Sequence, residues 1–119
     1  MIRSYKDFDV FQRSYSLAMT IFKIAANFPT EEKYSLTSQL IRSSRSVSAN
    51  IAEGWAKRNY EKKFRQHLVD ALGSNTETEV WLSFALDCNY LNKEDFNTLT
   101  EENTVIGKML TKLHQNWKS

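Results

Sequence analysis

The sequence predicts an all-α fold, an antiparallel up-down-up-down left-handed four-helix bundle, and three observations predict it. Gly occurs three times and Pro once in 119 residues, which leaves little material for the turns that many short strands would need. Apolar residues recur at alternating three- and four-residue steps, the 3.5-residue repeat of helices crossing at about 20°. The repeat breaks at three short polar links, which suits antiparallel neighbours. The length predicts one domain over 1–119, able to bury roughly two-thirds of its unfolded surface.

In the first segment, Phe8, Phe11, Tyr15, Ala18, Phe22 and Ala25 form one stripe, and Val10, Leu17, Ile21, Ile24 and Phe28 a second beside it. Pro29 ends the segment, and Glu31 and Glu32 follow where the next helix's positive end favours acids. The second segment carries Leu36, Leu40, Val47 and Ile51, with Gly54 read as its C-cap. Asn59 reads as the N-cap of the third, which repeats at Phe64, Leu68, Ala71, Asn75, Thr78, Leu82 and Ala85. Asn92 opens the fourth, with Glu94 and Asp95 in its first turn, and Phe96, Leu99, Ile106, Leu110, Leu113 and Trp117 follow.

Helices one and three are apolar on more than one face. Val69, Val80, Trp81 and Phe84 lie off the main seam of the third helix, although one face about 100° wide is enough for a bundle. The excess either widens the core or meets another subunit. Small residues (Ser43, Ser44, Ser46, Ser48 and Ala49 on helix two, Gly73 and Ser74 on helix three) suit close helix approach, within the monomer or between subunits. Gly73 costs about 1 kcal/mol relative to Ala inside a helix, so close backbone approach is the expected reason for it.

Gln39, Arg42, Ser46-Val47 and Asn50-Ile51-Ala52-Glu53-Gly54, followed by Ala71-x-Gly73-Ser74-x-x-Glu77, resemble the four helix bundle protein family. Its first members were read from intervening sequences within bacterial 23S ribosomal RNA genes. Tyr5 to Phe11 and the Phe28-Pro29…Glu32 link are also similar to that family, so the likeness spans the chain. The resemblance implies a four-helix bundle assembled as a ring-like homopentamer. A related branch, the accessory proteins of diversity-generating retroelements, binds nucleic acid and a reverse transcriptase. Members are not established ribosome subunits, and the resemblance carries over no catalytic residue and no cofactor. Ser43-Ser44 stand where alanines are usual in the family, and Val47 where isoleucine is usual.

The charge pattern stands apart from the resemblance. From Arg42 to His67, seven basic residues (Arg42, Arg45, Lys57, Arg58, Lys62, Lys63, Arg65) face two acids (Glu53, Glu61). From Thr76 to Asn103, seven acids (Glu77, Glu79, Asp87, Glu94, Asp95, Glu101, Glu102) face Lys93 alone. The formal +2 therefore hides a strongly polar molecule. Lys62, Lys63 and Arg65 oppose the dipole of their own helix, at about 0.3–1 kcal/mol each at low salt. A phosphate partner would offset that, because free amides and lysines at a helix start together hold anions. The alternative is a solvated charged face.

The candidate nucleic-acid-binding residues are thus Lys57, Arg58, Lys62, Lys63, Arg45 and Arg65, at the helix 2–helix 3 end. An antiparallel hairpin turning near 54–59 would set Arg42 level with Asp70, as an ion pair, and Ser46 level with His67. Trp55 and Tyr60 lie among the cations and suit base stacking, although Trp55 suits equally a plug for the bundle end. Asn50 and Asn75 fall on seams, where a buried amide fixes register or oligomeric state. Asn50, Glu53, Gly54, Gly73, Ser74 and Glu77 form the structural and oligomer motif. Glu53, at the negative end of its helix, calls for a specific partner, and a catalytic carboxylate is the less favoured reading.

Enzyme chemistry has little support. His67 and His114 stand alone without the Glu-x-x-His pairs of a di-metal bundle, and no phosphate-binding glycine loop occurs. Cys88 reads as a small core residue and excludes an internal disulfide. No apolar run reaches membrane length and no signal-peptide core is visible, so a soluble cytoplasmic protein is expected, without metal, cofactor or membrane partner. Two functions remain: a non-enzymatic oligomeric accessory protein that binds RNA or DNA, and an interaction scaffold that holds a partner protein.

Overall fold

Four helices carry the apolar repeats in the computed structural model, which describes residues 1–117: α1 Asp9–Ala25, α2 Leu36–Ala56, α3 Glu61–Asp87 and α4 Lys93–Asn116. Single 3-10 turns at Tyr5–Asp7 and Thr30–Glu32 precede α1 and α2. Consecutive helices run antiparallel in a body 45 × 25 × 19 Å across. Ser43 and Ser46 of α2 meet Thr78 and Ser74 of α3, each at 2.9 Å. Asn75 of α3 bonds Asn103 of α4. Phe8, at the start of α1, lies against Trp55 near the end of α2 and Trp117 after the end of α4.

All seven residues of the α3 seam and all four of the α2 seam are buried. In α1 the second stripe is the core: Val10, Leu17, Ile21 and Phe28 are buried. The first stripe divides, with Phe8, Ala18 and Ala25 inside and Tyr15 and Phe22 exposed at 55% and 43%. One helix cannot turn two stripes into one core, so the outer members face solvent. Buried Ser14, Ser43, Ser44 and Ser48 each bond a carbonyl three residues back, which satisfies the hydroxyl and keeps the helix surface thin.

The α2–α3 turn departs from expectation. Gly54 does not cap α2. It lies inside the helix, buried, where an added Cβ would sit 2.8 Å from the Phe64 ring and 3.0 Å from His67 Cβ. The glycine therefore serves the close approach of α2 to α3. Asn59 is not an N-cap either: Tyr60 holds that position, and no side chain caps α3. With α2 running to Ala56, the hairpin pivots at 57–60, and every partner shifts by about two turns. Ser46 faces Ser74 rather than His67. Arg42 makes no ion pair with Asp70, which instead accepts from Gln66; among the described residues the ion pair is Arg13–Glu102 at 2.7 Å.

The other turns follow simple chemistry. Asn89 takes the left-handed conformation (φ 63°) that ends α3, with Tyr90 N–H bonded to Ala85 O and Asn89 N–H to Leu86 O, a Schellman motif built on asparagine. Cys88, expected in the core, is exposed at this turn. Asn92 caps α4 by accepting from the Asp95 amide at 2.7 Å. Glu32 accepts from Ser35 Oγ (2.8 Å), Tyr90 Oη (2.9 Å) and the Leu36 amide, tying the α1–α2 link to the α3–α4 link.

The hydrogen bonds from Ser35 and then Tyr90 hold the Glu32 carboxyl below its ordinary value. The unfolded chain thus takes up this proton at higher pH than the folded one. The contribution is complete above the unfolded value of about 4.3 and is lost as pH falls through the lowered folded value. Glu32→Gln is expected to flatten the acid limb of thermal stability below about pH 5, read by melting between pH 3 and 7.

Candidate functional site

The α2–α3 turn forms one pole of the bundle, and Lys57, Arg58, Lys62 and Lys63 all lie exposed on it. Arg58 places its guanidinium 4.3 Å above the Trp55 ring and donates to the Trp55 carbonyl. Lys63 lies 5.1 Å over the ring of Tyr60, which is 65% exposed. Lys57 Nζ is 2.9 Å from His67 Nε2, and His67 Nδ1 is 3.0 Å from Asn50 Oδ1. An ammonium can only donate, so Nε2 accepts and Nδ1–H donates, which assigns a neutral imidazole in one tautomer. Asn50 is oriented by its own donation to the Ser46 carbonyl. The amide that reads as a seam residue thus supports a pole residue through a histidine.

None of the four cations has an ion-pair partner among the described residues. The first amides of α3 lack a side-chain cap, so cations and free N–H groups share one small surface. The topology adds residues that sequence spacing could not place there. Lys6, two residues before Phe8, lies near this pole because Phe8 packs on Trp55. Lys112 reaches it because α4 ends here, lining a groove with Phe8 and Asp9. The opposite pole gathers Glu31, Glu32, Asp87, Glu94 and Asp95 against Lys23, Lys33 and Lys93.

Two further predicted contacts differ from these four: Arg45 lies away from the pole, and Arg65 lies at it but is engaged within the chain. Arg45 sits twelve residues before Lys57 on α2, about 18 Å along the helix, and stacks 5.2 Å over the Phe22 ring. Arg65 is half-buried and donates to the Trp117 carbonyl at 3.4 Å, so it fastens the end of α4. Trp55 resolves as the plug, half-buried against Phe8 and Trp117 at centroid distances of 5.3 and 6.2 Å. Tyr60 remains the exposed aromatic of this pole.

The motif residues separate similarly. Gly54 is a contact within the chain. Gly73 is not: no atom lies within 4 Å of a Cβ placed there, and the residue is exposed. Glu53 is exposed without a hydrogen-bond partner among the described residues, and Glu77 accepts from Trp81 Nε1 at 3.0 Å. Ser74 bonds Ser46 across the α2–α3 seam. Sequence reasoning missed Asn103 and Gly107, which close on Asn75: the two asparagines exchange three bonds at 2.9 Å, and a Cβ on Gly107 would lie 2.8 Å from Asn75 Oδ1. The signal was present, since Asn103 falls on the repeat between Leu99 and Ile106.

Four helices with a polar seam around Asn50 and Asn75 frame the comparison with known proteins. Residues 6–112 match the family described as 23S rRNA-intervening sequence protein. The chain belongs to that family. A crystal structure of a protein of unknown function from the S23 ribosomal protein family, from Bacteroides thetaiotaomicron VPI-5482, is similar at 27% identity and a TM-score of 0.82, covering 90% of this chain and 96% of that one. No curated protein matches. The family membership fixes the fold and supplies no reaction. Among the described residues no group of three or more His, Cys, Asp or Glu is placed to hold a metal ion, and no helix is long and apolar enough to cross a membrane.

Proposed function

We propose that this family member is a non-enzymatic, cytoplasmic, homo-oligomeric accessory protein that binds RNA or DNA through phosphate contacts at the Lys57–Arg58–Lys62–Lys63 pole. The observation that carries the reading is the set of four exposed, unpaired cations at the uncapped start of α3. Lys62 and Lys63 stand against the helix dipole, at about 0.3–1 kcal/mol each, and a bound phosphate turns that cost into attraction. Tyr60 offers a ring for an unpaired base, so the contact reads backbone and stacking more than base edges. One pole is a modest site; the ring-like pentamer that the family resemblance implies would add several.

Retention of single-stranded RNA and DNA against salt tests this reading. Four phosphate contacts per subunit give a slope of log K on log salt of about −3. Replacing Lys57, Arg58, Lys62 and Lys63 together by Gln abolishes retention and leaves the helical circular dichroism unchanged. The second reading, a scaffold holding a partner protein, draws on an apolar groove between α1 and α2, lined by Phe11, Tyr15, Ala18, Ala49 and Ala52. It takes over if the wild-type chain retains no nucleic acid at 50 mM salt or below, on the order of the low-salt range where such contacts are strongest.

A further inference from the structure

One cation of the basic pole, Lys57, is held by a side chain of the type that changes charge near neutral pH. His67 accepts from Lys57 Nζ on Nε2 at 2.9 Å and donates from Nδ1 to Asn50 Oδ1 at 3.0 Å. Asn50 is pinned at its other end. Its Nδ2 donates to the Ser46 carbonyl at 3.0 Å and to Ser46 Oγ at 3.1 Å, and Ser46 Oγ also accepts from Ser74 of α3 at 2.9 Å. A carbonyl only accepts, so the amide cannot turn over and Oδ1 stays toward the ring. Nδ1 therefore keeps its hydrogen whether the ring is neutral or charged. The position open to a further proton is Nε2, which Lys57 occupies.

Two exclusive states follow. With the ring neutral, Lys57 lies back on Nε2. With Nε2 protonated, both partners are donors and both are positive, so they separate. His67 is the less free to move: it is half-buried, its Cβ lies 3.0 Å from where a Cβ on Gly54 would stand, and Asn50 holds its ring. Lys57 is exposed at the C-terminal end of α2, on a flexible four-carbon stem. Lys57 therefore swings outward, and Nε2–H faces the surface it vacates. The pole gains one positive charge and one free ammonium.

The charges around the ring set the balance between these states. From α2 come Lys57 and, one turn before it, Glu53; from α3 come Lys63 and Asp70, one turn to either side of His67. Glu53 and Asp70 favour the added proton, and Lys57 and Lys63 oppose it. The other helix packed on α3 is α4, which meets its Leu72–Glu79 side, where Lys108 and Lys112 line a separate groove. A polyanion over the pole draws Lys57 off the ring and stabilises the charge on it, so both of its effects favour the protonated state.

We propose that His67, positioned by Asn50, is a proton-linked switch of the basic pole: a proton taken up at Nε2 releases Lys57 to the phosphates, and nucleic acid and proton bind cooperatively. The inference rests on the nucleic-acid reading above and adds a pH dependence of fixed sign. Affinity is higher with His67 charged and lower with it neutral. By linkage, bound nucleic acid holds the proton on the ring to higher pH.

The test is retention of oligothymidylate and oligouridylate without terminal phosphates, whose bases keep one charge state between about pH 5.5 and 8, within the range where histidine titrates. The wild type is expected to bind roughly five- to tenfold more tightly at the acid end at about 50 mM salt, the gain from one added contact at a slope of about −0.7 per phosphate. His67→Gln, neutral throughout, is expected to lose that gain, and His114→Gln, in the last turn of α4, to keep it. In the wild type, the His67 ring resonances followed by NMR are expected to titrate at higher pH with oligonucleotide bound than without. No retention at any pH in the range overturns the nucleic-acid reading and this inference together. Retention that is flat or weakens toward acid, a gain that survives His67→Gln or is lost in His114→Gln, or a His67 titration unmoved by oligonucleotide overturns the switch alone. Circular dichroism checks that His67→Gln is folded; if it is not, the wild-type NMR titration decides.

Discussion

Gly54→Val is expected to destabilise the fold by about 3 kcal/mol, the upper part of the range for overpacking a core. The first added carbon lands 2.8 Å from Phe64 Cδ1 and 3.0 Å from His67 Cβ. Neither neighbour can yield cheaply. Phe64 is fully buried with its ring 4.4 Å from that of Trp117, and His67 Cβ is fixed to the α3 backbone. Relief requires α2 and α3 to separate beside Gly54, which also pulls His67 from Asn50. Ala adds the same first carbon but recovers about 1 kcal/mol of helix propensity, so Gly54→Ala is the milder change. Thermal melting at fixed protein concentration reads the series, with a drop of roughly 10 °C for Val. A melting point within a degree or two of wild type would refute the close-approach role.

Asn103→Ala is expected to cost about 2–3 kcal/mol, the penalty for stranding buried polar groups in place of their bonds. Asn103 is 3% exposed and Asn75 7%, so water cannot easily replace what is lost. The substitution removes the bond to the Asn75 carbonyl and one of the two acceptors of Asn75 Nδ2. Gly107 keeps Asn75 from turning elsewhere, because its backbone closes over Oδ1. The effects of Asn75→Ala and Asn103→Ala should therefore not add: the double variant is expected to be more stable than the sum by at least about 1 kcal/mol, read as a chemical-denaturation cycle. Additive losses would mean that the amides act separately.

The α3 seam was fully legible because seven buried residues follow one repeat, and a repeat is local information. The hairpin was not. A glycine at the end of an apolar run has the same one-letter signature whether it caps a helix or admits a neighbouring helix, and Gly54 does the second. That ambiguity moved the pivot to 57–60 and with it each cross-helix partner, including Asp70 for Arg42. At Gly73 only the within-chain alternative fails: no neighbour within its own chain needs the space. At the basic pole, Lys57, Arg58, Lys62 and Lys63 are close in sequence and could be read there. Arg45 could not be separated from them, since eighteen ångströms of helix (about 1.5 Å per residue) does not register in a count of charges. Lys6 and Lys112 enter only through the packing of Phe8 and the path of α4.

The separation of charge along the 45 Å axis has a consequence for encounter. A body with an excess of cations at one end and of carboxylates at the other is turned by the field of a polyanion before contact, so it arrives basic pole first. The carboxylate end then faces away and repels a second strand. Under the proposed function, such a polarity favours coating one strand over bridging two, with the far end turned away from it.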